Sequence, residues 1–303
     1  MDVKGQQPKR QEQEQQQQQQ IAESAAVASI LVYVTSLQHD PSCRTLVAAT
    51  TIAYATLYVL LGYVTKQQSL YSKDSDSSSW TFLVSPEAKS RFLSTLNAVV
   101  LTMGSLLCFT EWQTYQPEAE GWIGNPNKKT YPPLFAAIFV AFLHFDLLWM
   151  VWYRHVYKDV SALIHHVLFI GMTHFVLSGP YFLKPFAWLS LTELSTPFLN
   201  LRWYYAIAGQ KSSNGYLYTS LAFAGTFLAT RVVGYSLGLW DVLRSYQQWR
   251  SIRGLHAVTL GLMMGYFLNL FWAIKIVHAV QRVLQTRKKK NTSNKRDKIP
   301  NED

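Results

Sequence analysis

The chain has 303 residues, of which 49% are hydrophobic and 14% aromatic, and its formal net charge at pH 7 is +10. The basic residues lie in the connections between apolar segments and in the C-terminal tail, so the charge does not indicate a nucleic-acid-binding protein. The two cysteines, Cys43 and Cys108, have neither the spacing of a metal site nor the density of a disulfide framework.

Two polar tails flank a strongly apolar middle. Residues 1–21 contain the run QEQEQQQQQQ and are predicted to be a disordered Gln-rich tail, because such a tract buries too little apolar surface to offset its ordering entropy. Residues 22–90 are predicted to hold N-terminal membrane helices and a polar loop, and residues 91–280 a membrane domain. Residues 281–303 are predicted to be a disordered, basic, cytosolic tail. No cleaved signal peptide is expected, since glutamines precede the first apolar run.

Apolar segments of about twenty residues are typical of helices that span a bilayer. Seven such segments are clear, and an eighth is shorter and carries Glu23. In chain order they are 22–37 (the weaker one), 44–64, 92–110, 132–153, 160–178, 182–203, 216–240 and 256–280. The predicted fold is therefore all-α, a polytopic transmembrane helical bundle of seven to eight spans. The weaker segment is either a span or a half-buried interfacial helix.

The distribution of lysine and arginine predicts which side of the membrane each connection faces. With eight alternating spans, nineteen of them lie on the side that holds both tails and seven on the other side. Because positive residues accumulate on the cytosolic side, both tails are predicted to be cytosolic, and with seven spans only the N-terminus changes side. The sequon at Asn291 should then carry no glycan. The connection 111–131 is predicted to be a loop on the opposite side.

Glycines four residues apart occur in the last two spans. Gly234 and Gly238 form GYSLG, and Gly261 and Gly265 form GLMMG. Glycine at this spacing lets two helices approach closely. Close packing inside the chain is favoured over dimerisation, and the sequence leaves the oligomeric state unknown.

Three successive apolar segments carry ionisable side chains, which cost at least about 2.5–3.5 kcal/mol at mid-membrane. Asp146 lies in the first, and is either a structural acid that bonds a neighbouring span or a functional one. His165 and His166 are adjacent in the second, so they point about 100° apart on a helix. One of them is expected to face a ligand while the other bonds a neighbouring helix.

Glu193 begins a polar stripe in the third of these segments. Thr196 and Asn200 return to nearly the same helix face, and Pro197 is expected to loosen the backbone there. Such a stripe predicts an internal polar chamber. Arg231 and Asn269 add polar groups from the last two spans.

No known metal or cofactor signature accompanies these residues. The histidines and carboxylates do not have a zinc spacing such as HExxH, and no glycine-rich phosphate loop or GxSxG nucleophile motif is present. Neither a metal nor a cofactor is therefore expected.

Several motifs together resemble the TLC domain family, which includes translocating-chain-associated proteins and ceramide synthases. They are RFLSTLNAVV, FLHFDLLWM, LIHHVLFI, TELSTPFLNLRWYY and NLFWAIKIV, between Arg91 and Val280. ELSTPFLNLRW is the most specific of them. The resemblance implies a TLC-type membrane bundle, an endoplasmic reticulum location and a role in membrane lipid composition or sphingolipid balance.

The resemblance to ceramide synthases is incomplete. His165 and His166 match the family's histidine pair. The two aspartate positions that follow in ceramide synthases fall on Glu193 and Thr196, so a glutamate replaces the first aspartate and a threonine replaces the second. No homeobox-like insert is visible. The sequence is therefore more similar to the non-synthase TLC-domain-containing branch.

Three functions remain open from the sequence. The first is lipid homeostasis, in which a polar chamber lined by Asp146, Thr196, Asn200, Arg231 and Asn269 binds a membrane lipid. The second is acyl-CoA-dependent N-acylation, with His165 or His166 as general base or acyl carrier and Glu193 orienting the imidazole or stabilising its charge. The third is a cargo receptor of the early secretory pathway. Membrane lipids, and acyl-CoA in the second case, are the expected partners, and nucleic acid is not.

Overall fold

The computed structural model describes residues 7–36, 40–71, 85–114, 131–154, 160–178 and 182–296. Most of the connection predicted at 111–131 lies outside these residues. Within them, the chain consists of helices joined by turns.

The helices follow one another in chain order. They are α1 (Gln7–Ser36), α2 (Pro41–Tyr71), α3 (Pro86–Thr114), α4 (Tyr131–Trp152), α5 (Val160–Leu177), α6 (Leu183–Ser190), a 3₁₀ helix (Leu191–Ser195), α7 (Thr196–Ile207), α8 (Asn214–Phe227), a π-helix (Leu228–Gly234), α9 (Tyr235–Arg244), α10 (Tyr246–Trp249) and α11 (Arg253–Arg296).

Six helical stretches in the described part of the chain are long and apolar enough to cross a membrane. They are Pro41–Thr65, Pro86–Thr110, Tyr131–Trp152, Val160–Leu177, Asn214–Arg244 and Arg253–Val283. The prediction of an all-α, polytopic membrane bundle is confirmed. The predicted segments 22–37 and 182–203 are not among the six. The first is part of α1, which also contains the polar glutamine tract, and the second is divided into three helical pieces.

The divided segment nevertheless runs antiparallel to α3 over most of its length. Near one end the hydroxyl of Ser105 donates a hydrogen bond to the carbonyl of Ala187 (2.6 Å), and near the other the hydroxyl of Tyr204 donates to the carbonyl of Ala88 (2.6 Å). Seventeen residues of α3 separate these contacts, which is about 25 Å at a rise of 1.5 Å per residue. The pieces α6, 3₁₀ and α7 therefore cross nearly the depth of a hydrocarbon core.

Helical structure extends into both predicted tails. α1 begins at Gln7, where disorder was predicted over 1–21, and α11 continues to Arg296, where disorder was predicted over 281–303. Glutamine, lysine and arginine are all good helix formers, and a helix that is already nucleated by packed residues extends at low cost. In α1 the side chain of Gln19 donates to Glu23 (3.0 Å), and Glu23 pairs with Arg154 at the end of α4 (2.7 Å).

Helix α4 occupies the centre of the bundle. In the most apolar part of α4, 67% of the residues are buried, whereas in the corresponding part of α2 only 11% are buried. Val140 and Ala141 of α4 are fully buried in a cluster with Leu31 of α1 and Val47 of α2. Since α4 is surrounded by protein, a polar side chain on it meets other helices rather than lipid.

The glycine pairs of the last two spans lie at close contacts within the chain. A Cβ atom added to Gly238 would come 2.9 Å from Cβ of Trp188 in α6, and one added to Gly265 would come 2.8 Å from the hydroxyl of Tyr235. A Cβ on Gly261 would overlap the sulfur of Met172 in α5. The expected close packing inside the chain is thus seen at Gly238, Gly261 and Gly265, whereas a Cβ on Gly234 would make only ordinary contacts, 3.6 Å from the Ala229 carbonyl oxygen.

Candidate functional site

Asp146 and His166 form a largely buried pair between α4 and α5. Nε2 of His166 lies 2.9 Å from Oδ2 of Asp146, with side-chain exposures of 13% and 16%. Nδ1 of His166 lies 2.8 Å from the carbonyl oxygen of Ala162, one turn earlier in α5. The other carboxylate oxygen, Oδ1, accepts a hydrogen bond from the hydroxyl of Ser90 in α3 (3.1 Å). Asp146 thereby joins three helices.

The partners of His166 determine where its proton lies. A carbonyl oxygen only accepts hydrogen bonds, so Nδ1 carries a proton and Nε2 is the atom shared with Asp146. The pair is either an imidazolium with a carboxylate or a neutral imidazole with a carboxylic acid. Both forms have zero net charge, which suits a site among apolar helices. Both ring nitrogens are occupied, so His166 has none left for a ligand.

The pair lies between the middle of the bundle and the side on which α3 and α5 begin and α4 ends. Ser90 is four residues from the start of α3, Asp146 is six from the end of α4, and His166 is six from the start of α5. At 1.5 Å per residue these positions are about 6–9 Å from three helix ends that face the same side. The pair is therefore closer to this side of the bundle than to the opposite side.

His165 points away from this pair, as expected for adjacent residues on a helix. Its ring packs against Phe169 (4.4 Å between centroids) and meets the ring of His166 at 72°. No hydrogen bond joins a ring nitrogen of His165 to another residue among those that the structure describes. Of the two predicted histidines, His165 is thus the one whose nitrogens remain available.

Glu193 and Arg231 form a second, largely buried pair. Oε1 of Glu193 lies 3.4 Å from Nη2 of Arg231, with exposures of 20% and 15%. Oε2 of Glu193 accepts a hydrogen bond from the hydroxyl of Thr196 (2.8 Å), and Nε of Arg231 donates to the hydroxyl of Ser195 (3.0 Å). The predicted residues Glu193, Thr196 and Arg231 therefore lie together, and Ser195 is an additional member that sequence reasoning missed.

The backbone carrying Glu193 is a 3₁₀ helix because of Pro197. A proline has no N–H, so Pro197 cannot bond to the carbonyl of Glu193 four residues earlier. The N–H of Thr196 bonds that carbonyl instead, at the i→i−3 spacing of a 3₁₀ helix. The loosening predicted at Pro197 is confirmed.

Arg231 lies on an irregular helix of its own. The π-helix Leu228–Gly234 interrupts the span Asn214–Arg244 and lies against the 3₁₀ helix. A π-helical turn inserts one residue and rotates the side chains that follow, and it frequently marks functional sites. Nothing in the local composition LATRVVG predicted it.

The two buried pairs are near each other. Glu193 is close enough to His166, and Arg231 close enough to His165, for their charges to interact. We call Asp146, His165, His166, Glu193 and Arg231 the polar cluster. Its formal charges cancel pairwise, and side chains from α4, α5, the 3₁₀ helix and the π-helix contribute to it.

The expectation that Glu193 orients a histidine differs from the structure. Asp146 bonds His166, whereas Glu193 bonds Arg231 and Thr196. The imidazole partner therefore comes from the span before the histidines, while the family resemblance pointed to the span after them. The position of Asp146 inside the preceding apolar segment was the signal that favoured it.

Asn200 has a different environment from the rest of the predicted stripe. Its Oδ1 accepts from Nη1 of Arg91 (3.1 Å), and its Nδ2 donates to the Arg91 carbonyl and to the Thr95 hydroxyl (3.0 Å each). The Arg91 guanidinium also stacks on Trp203 (4.7 Å) and pairs with Glu87 (2.9 Å). The side-chain hydrogen bonds of Asn200 thus join α7 to α3.

Asn269 in α11 is 6% exposed, and its side-chain oxygen has no hydrogen-bond partner among the described residues. An unsatisfied buried polar group costs about 1–3 kcal/mol, so this atom is a candidate for contact with a ligand.

A second pair of histidines was missed by the sequence prediction. His144 in α4 and His174 in α5 are 3% and 4% exposed, and their Nε2 atoms lie 3.0 Å apart. One Nε2 must donate and the other accept, so the two rings share a single proton in this bond. Each histidine lies in an apolar segment, which was the available signal. Within the described residues, no group of three or more His, Cys, Asp or Glu side chains is arranged to hold a metal ion.

Comparison with known proteins identifies relatives over the same region. A family model described as the TLC domain matches residues 87–278, which include the whole polar cluster. TLC domain-containing protein 4 of Xenopus tropicalis is 28% identical over 215 residues, covering 66% of this chain and 78% of the relative. TLC domain-containing protein 4-A of Xenopus laevis is 27% identical over 213 residues, with the same coverage. TLC domain-containing protein 4-B of Danio rerio is 28% identical over 147 residues, covering 47% of this chain and 53% of the relative.

Proposed function

The chain belongs to the TLC domain family, and from that membership we propose that it acts in membrane lipid homeostasis by holding the polar group of a membrane lipid in a chamber at the polar cluster. The observation that carries the proposal is the approach of two largely buried acid–base pairs, Asp146–His166 and Glu193–Arg231, between apolar helices. Ionisable side chains inside membrane spans are costly and are typical of substrate pathways and relays.

Two further features support a chamber. The backbone around the cluster departs from the α-helix on two adjoining segments, and irregular backbone at membrane depth is tolerated only where protein or a cavity surrounds it. Asp146 and His166 also lie about 9 Å from one end of α4 and of α5, so a polar group entering from that side has a shorter way to them than from the opposite side.

The test is lipid profiling in cells from which the gene has been deleted. Re-expression of the wild-type protein should restore the lipid composition, whereas His166→Ala and Glu193→Gln should not, at equal protein abundance. His256→Ala and Glu87→Gln are the matched controls, since His256 is exposed and Glu87 pairs with Arg91 outside the cluster. Full restoration by both cluster variants would contradict the proposal.

Acyl-CoA-dependent N-acylation is the second candidate, and the available ring of His165 beside the Asp146–His166 pair favours it. In this reaction the nitrogen of a long-chain amine attacks the thioester carbonyl, the C–N bond forms and the C–S bond breaks. His165 accepts the amine proton and returns it to the departing thiolate of coenzyme A. Purified protein should then convert labelled acyl-CoA and a sphingoid base to amide, and His165→Ala should abolish the product.

We also propose an endoplasmic reticulum membrane with a cytosolic C-terminus. The excess of lysine and arginine on the side of both tails supports the orientation, and the family resemblance supports the organelle. In this orientation the helix ends nearest to Asp146 and His166 face the cytosol, so a soluble acyl donor would approach from there. Loss of the basic tail after residue 285 tests whether these charges contribute to localisation, as the cargo-receptor alternative requires.

A further inference from the structure

Helix α11 packs against α5 in an antiparallel register. A Cβ added to Gly254 would contact Phe175, one added to Gly261 would lie 3.5 Å from Leu168, and one added to Gly265 would lie 3.5 Å from Phe169. Residues later in α11 therefore contact residues earlier in α5. One helical turn beyond the last contact lie Asn269 on α11 and His165 on α5.

Helix α11 is also antiparallel to the span formed by α8, the π-helix with Arg231, and α9. The hydroxyl of Tyr235 donates to the carbonyl of Leu262 (2.9 Å) and approaches the Cβ position of Gly265 (2.8 Å). Helices α9 and α11 are consecutive spans joined by a short turn, so they too are antiparallel. One turn before Tyr235 lies Arg231, and one turn after Gly265 lies Asn269.

Asn269 therefore lies at the level of the polar cluster and faces it. Leu262, Gly265 and Asn269 follow one another at the spacing of a single helix face, and the first two contact Tyr235. The side chain of Asn269 is 94% buried, yet its oxygen has no partner among the described residues. A hydrogen-bond donor on a bound molecule would satisfy this acceptor.

The charges of the cluster restrict what that molecule can be. Asp146 is neutralised by His166, and Glu193 by Arg231 with a further bond from Thr196. A phosphate or an ammonium group would enter without a free counter-charge, which is expensive among apolar helices. An uncharged group that donates a hydrogen bond meets no such cost.

We propose that Asn269 and His165 bind the uncharged hydroxyl or amide group of a lipid, with the side-chain oxygen of Asn269 accepting its hydrogen bond. The inference rests on the proposed chamber and specifies its ligand. His165 lies at the same level and offers a ring nitrogen as a second contact, while the lipid chain extends along the apolar faces of α5 and α11.

Photoactivatable lipid probes test this on the full-length protein in nanodiscs. Four probes are used: a long-chain alcohol, an N-acyl amino alcohol, a long-chain amine and phosphatidic acid. The first two should be captured about tenfold more efficiently than the last two. Asn269→Leu should lower capture of the neutral probes about tenfold, as expected for one lost hydrogen bond. Thr259→Val is the matched control, because Thr259 is a buried hydroxyl on the same helix that also has no partner among the described residues.

The outcomes separate this inference from the function on which it rests. If the wild-type protein captures none of the four probes, the lipid chamber itself is contradicted. If it captures the charged probes as well as the neutral ones, or if Asn269→Leu matches the wild type, only the ligand class is wrong. Asn269→Asp keeps the shape and adds a negative charge, so it should shift capture toward the amine, and size-exclusion profiles verify folding of each variant.

Discussion

Nε2 of His166 lies 2.9 Å from a carboxylate oxygen of Asp146, so the buried imidazole is held by an acid from the preceding span. The opposite ring nitrogen is fixed by the Ala162 carbonyl (2.8 Å). With both nitrogens occupied, His166 is a positioning residue that holds α5 against α4. The ring nitrogens of His165 make no hydrogen bond to the residues that the structure describes, so they remain available.

This relationship predicts a strong energetic coupling between the two side chains. Asp146→Ala and His166→Ala should each lower stability, because each leaves a buried partner without its bond. The double variant should lose about 1–3 kcal/mol less than the sum of the two. Thermal or denaturant unfolding of the four proteins in one detergent measures the coupling, and strictly additive losses would contradict the pairing.

Asp146→Asn provides the finer comparison. Its amide N–H can donate to Nε2 of a neutral His166, so one hydrogen bond survives while the charge is lost. The loss of stability should therefore be smaller than that of Asp146→Ala. Ser90→Ala serves as the control for the other carboxylate oxygen and should cost about 1 kcal/mol.

Much of this fold followed from apolar segment length, but the pairing of side chains did not. The segments around Asp146, His165 and Glu193 were predicted as neighbours because each is long and apolar and carries an ionisable residue. Which acid bonds which base depends on the rotation and order of the helices around α4. A single sequence does not encode that directly, so Glu193 was proposed to orient the imidazole or stabilise its charge, whereas the acid bonded to the imidazole of His166 is Asp146.

Local backbone chemistry was predictable only where one residue imposes it. Pro197 lacks the N–H that an α-helix needs, and the 3₁₀ helix before it follows from that deficit. The π-helix around Arg231 has no such residue and depends on packing against neighbouring helices. The helix that begins at Gln7 was missed for another reason. Disorder was predicted there because the glutamine tract buries little apolar surface, but glutamine also has a high intrinsic helix propensity.

The Glu193–Arg231 pair should be more sensitive to the loss of one charge than to the loss of both. Glu193→Gln leaves the Arg231 guanidinium without its counter-ion between apolar helices, and Arg231→Gln leaves the carboxylate alone. Each single variant should destabilise the protein by about 3 kcal/mol, while the double variant should recover at least half of that loss. Melting temperatures of the purified proteins measure both. Equal losses in single and double variants would contradict the pairing.

Arg231→Lys should not substitute for arginine. Arg231 donates through Nε to Ser195 (3.0 Å) while Nη2 faces Glu193 (3.4 Å), and an ammonium group cannot make both contacts in that geometry. The charge is kept and the bond to Ser195 is lost. We expect a melting temperature between those of the wild type and Arg231→Gln.

Asn200 should affect stability and leave lipid binding unchanged. Its three hydrogen bonds all go to Arg91 and Thr95 of α3, and it is 3% exposed. Asn200→Ala should lower stability by about 2–3 kcal/mol, since it leaves buried groups unsatisfied. Lipid-probe capture per folded molecule, measured well below the melting temperature, should equal that of the wild type. A selective loss of capture with normal stability would instead make Asn200 a ligand-binding residue, as the sequence alone suggested.

The orientation of the bundle predicts opposite glycosylation on its two sides. A glycosylation acceptor peptide fused after Asp303 should stay unmodified in microsomes if the basic tail is cytosolic. The variant Glu120→Asn/Trp122→Thr places a sequon in the middle of the connection between α3 and α4, which should be modified because it lies on the other side. The shift in gel mobility on glycosidase treatment measures both. A glycan on the fused peptide would reverse the topology and would place the ends of α4 and α5 nearest to His166 in the lumen, where cytosolic acyl donors do not reach them.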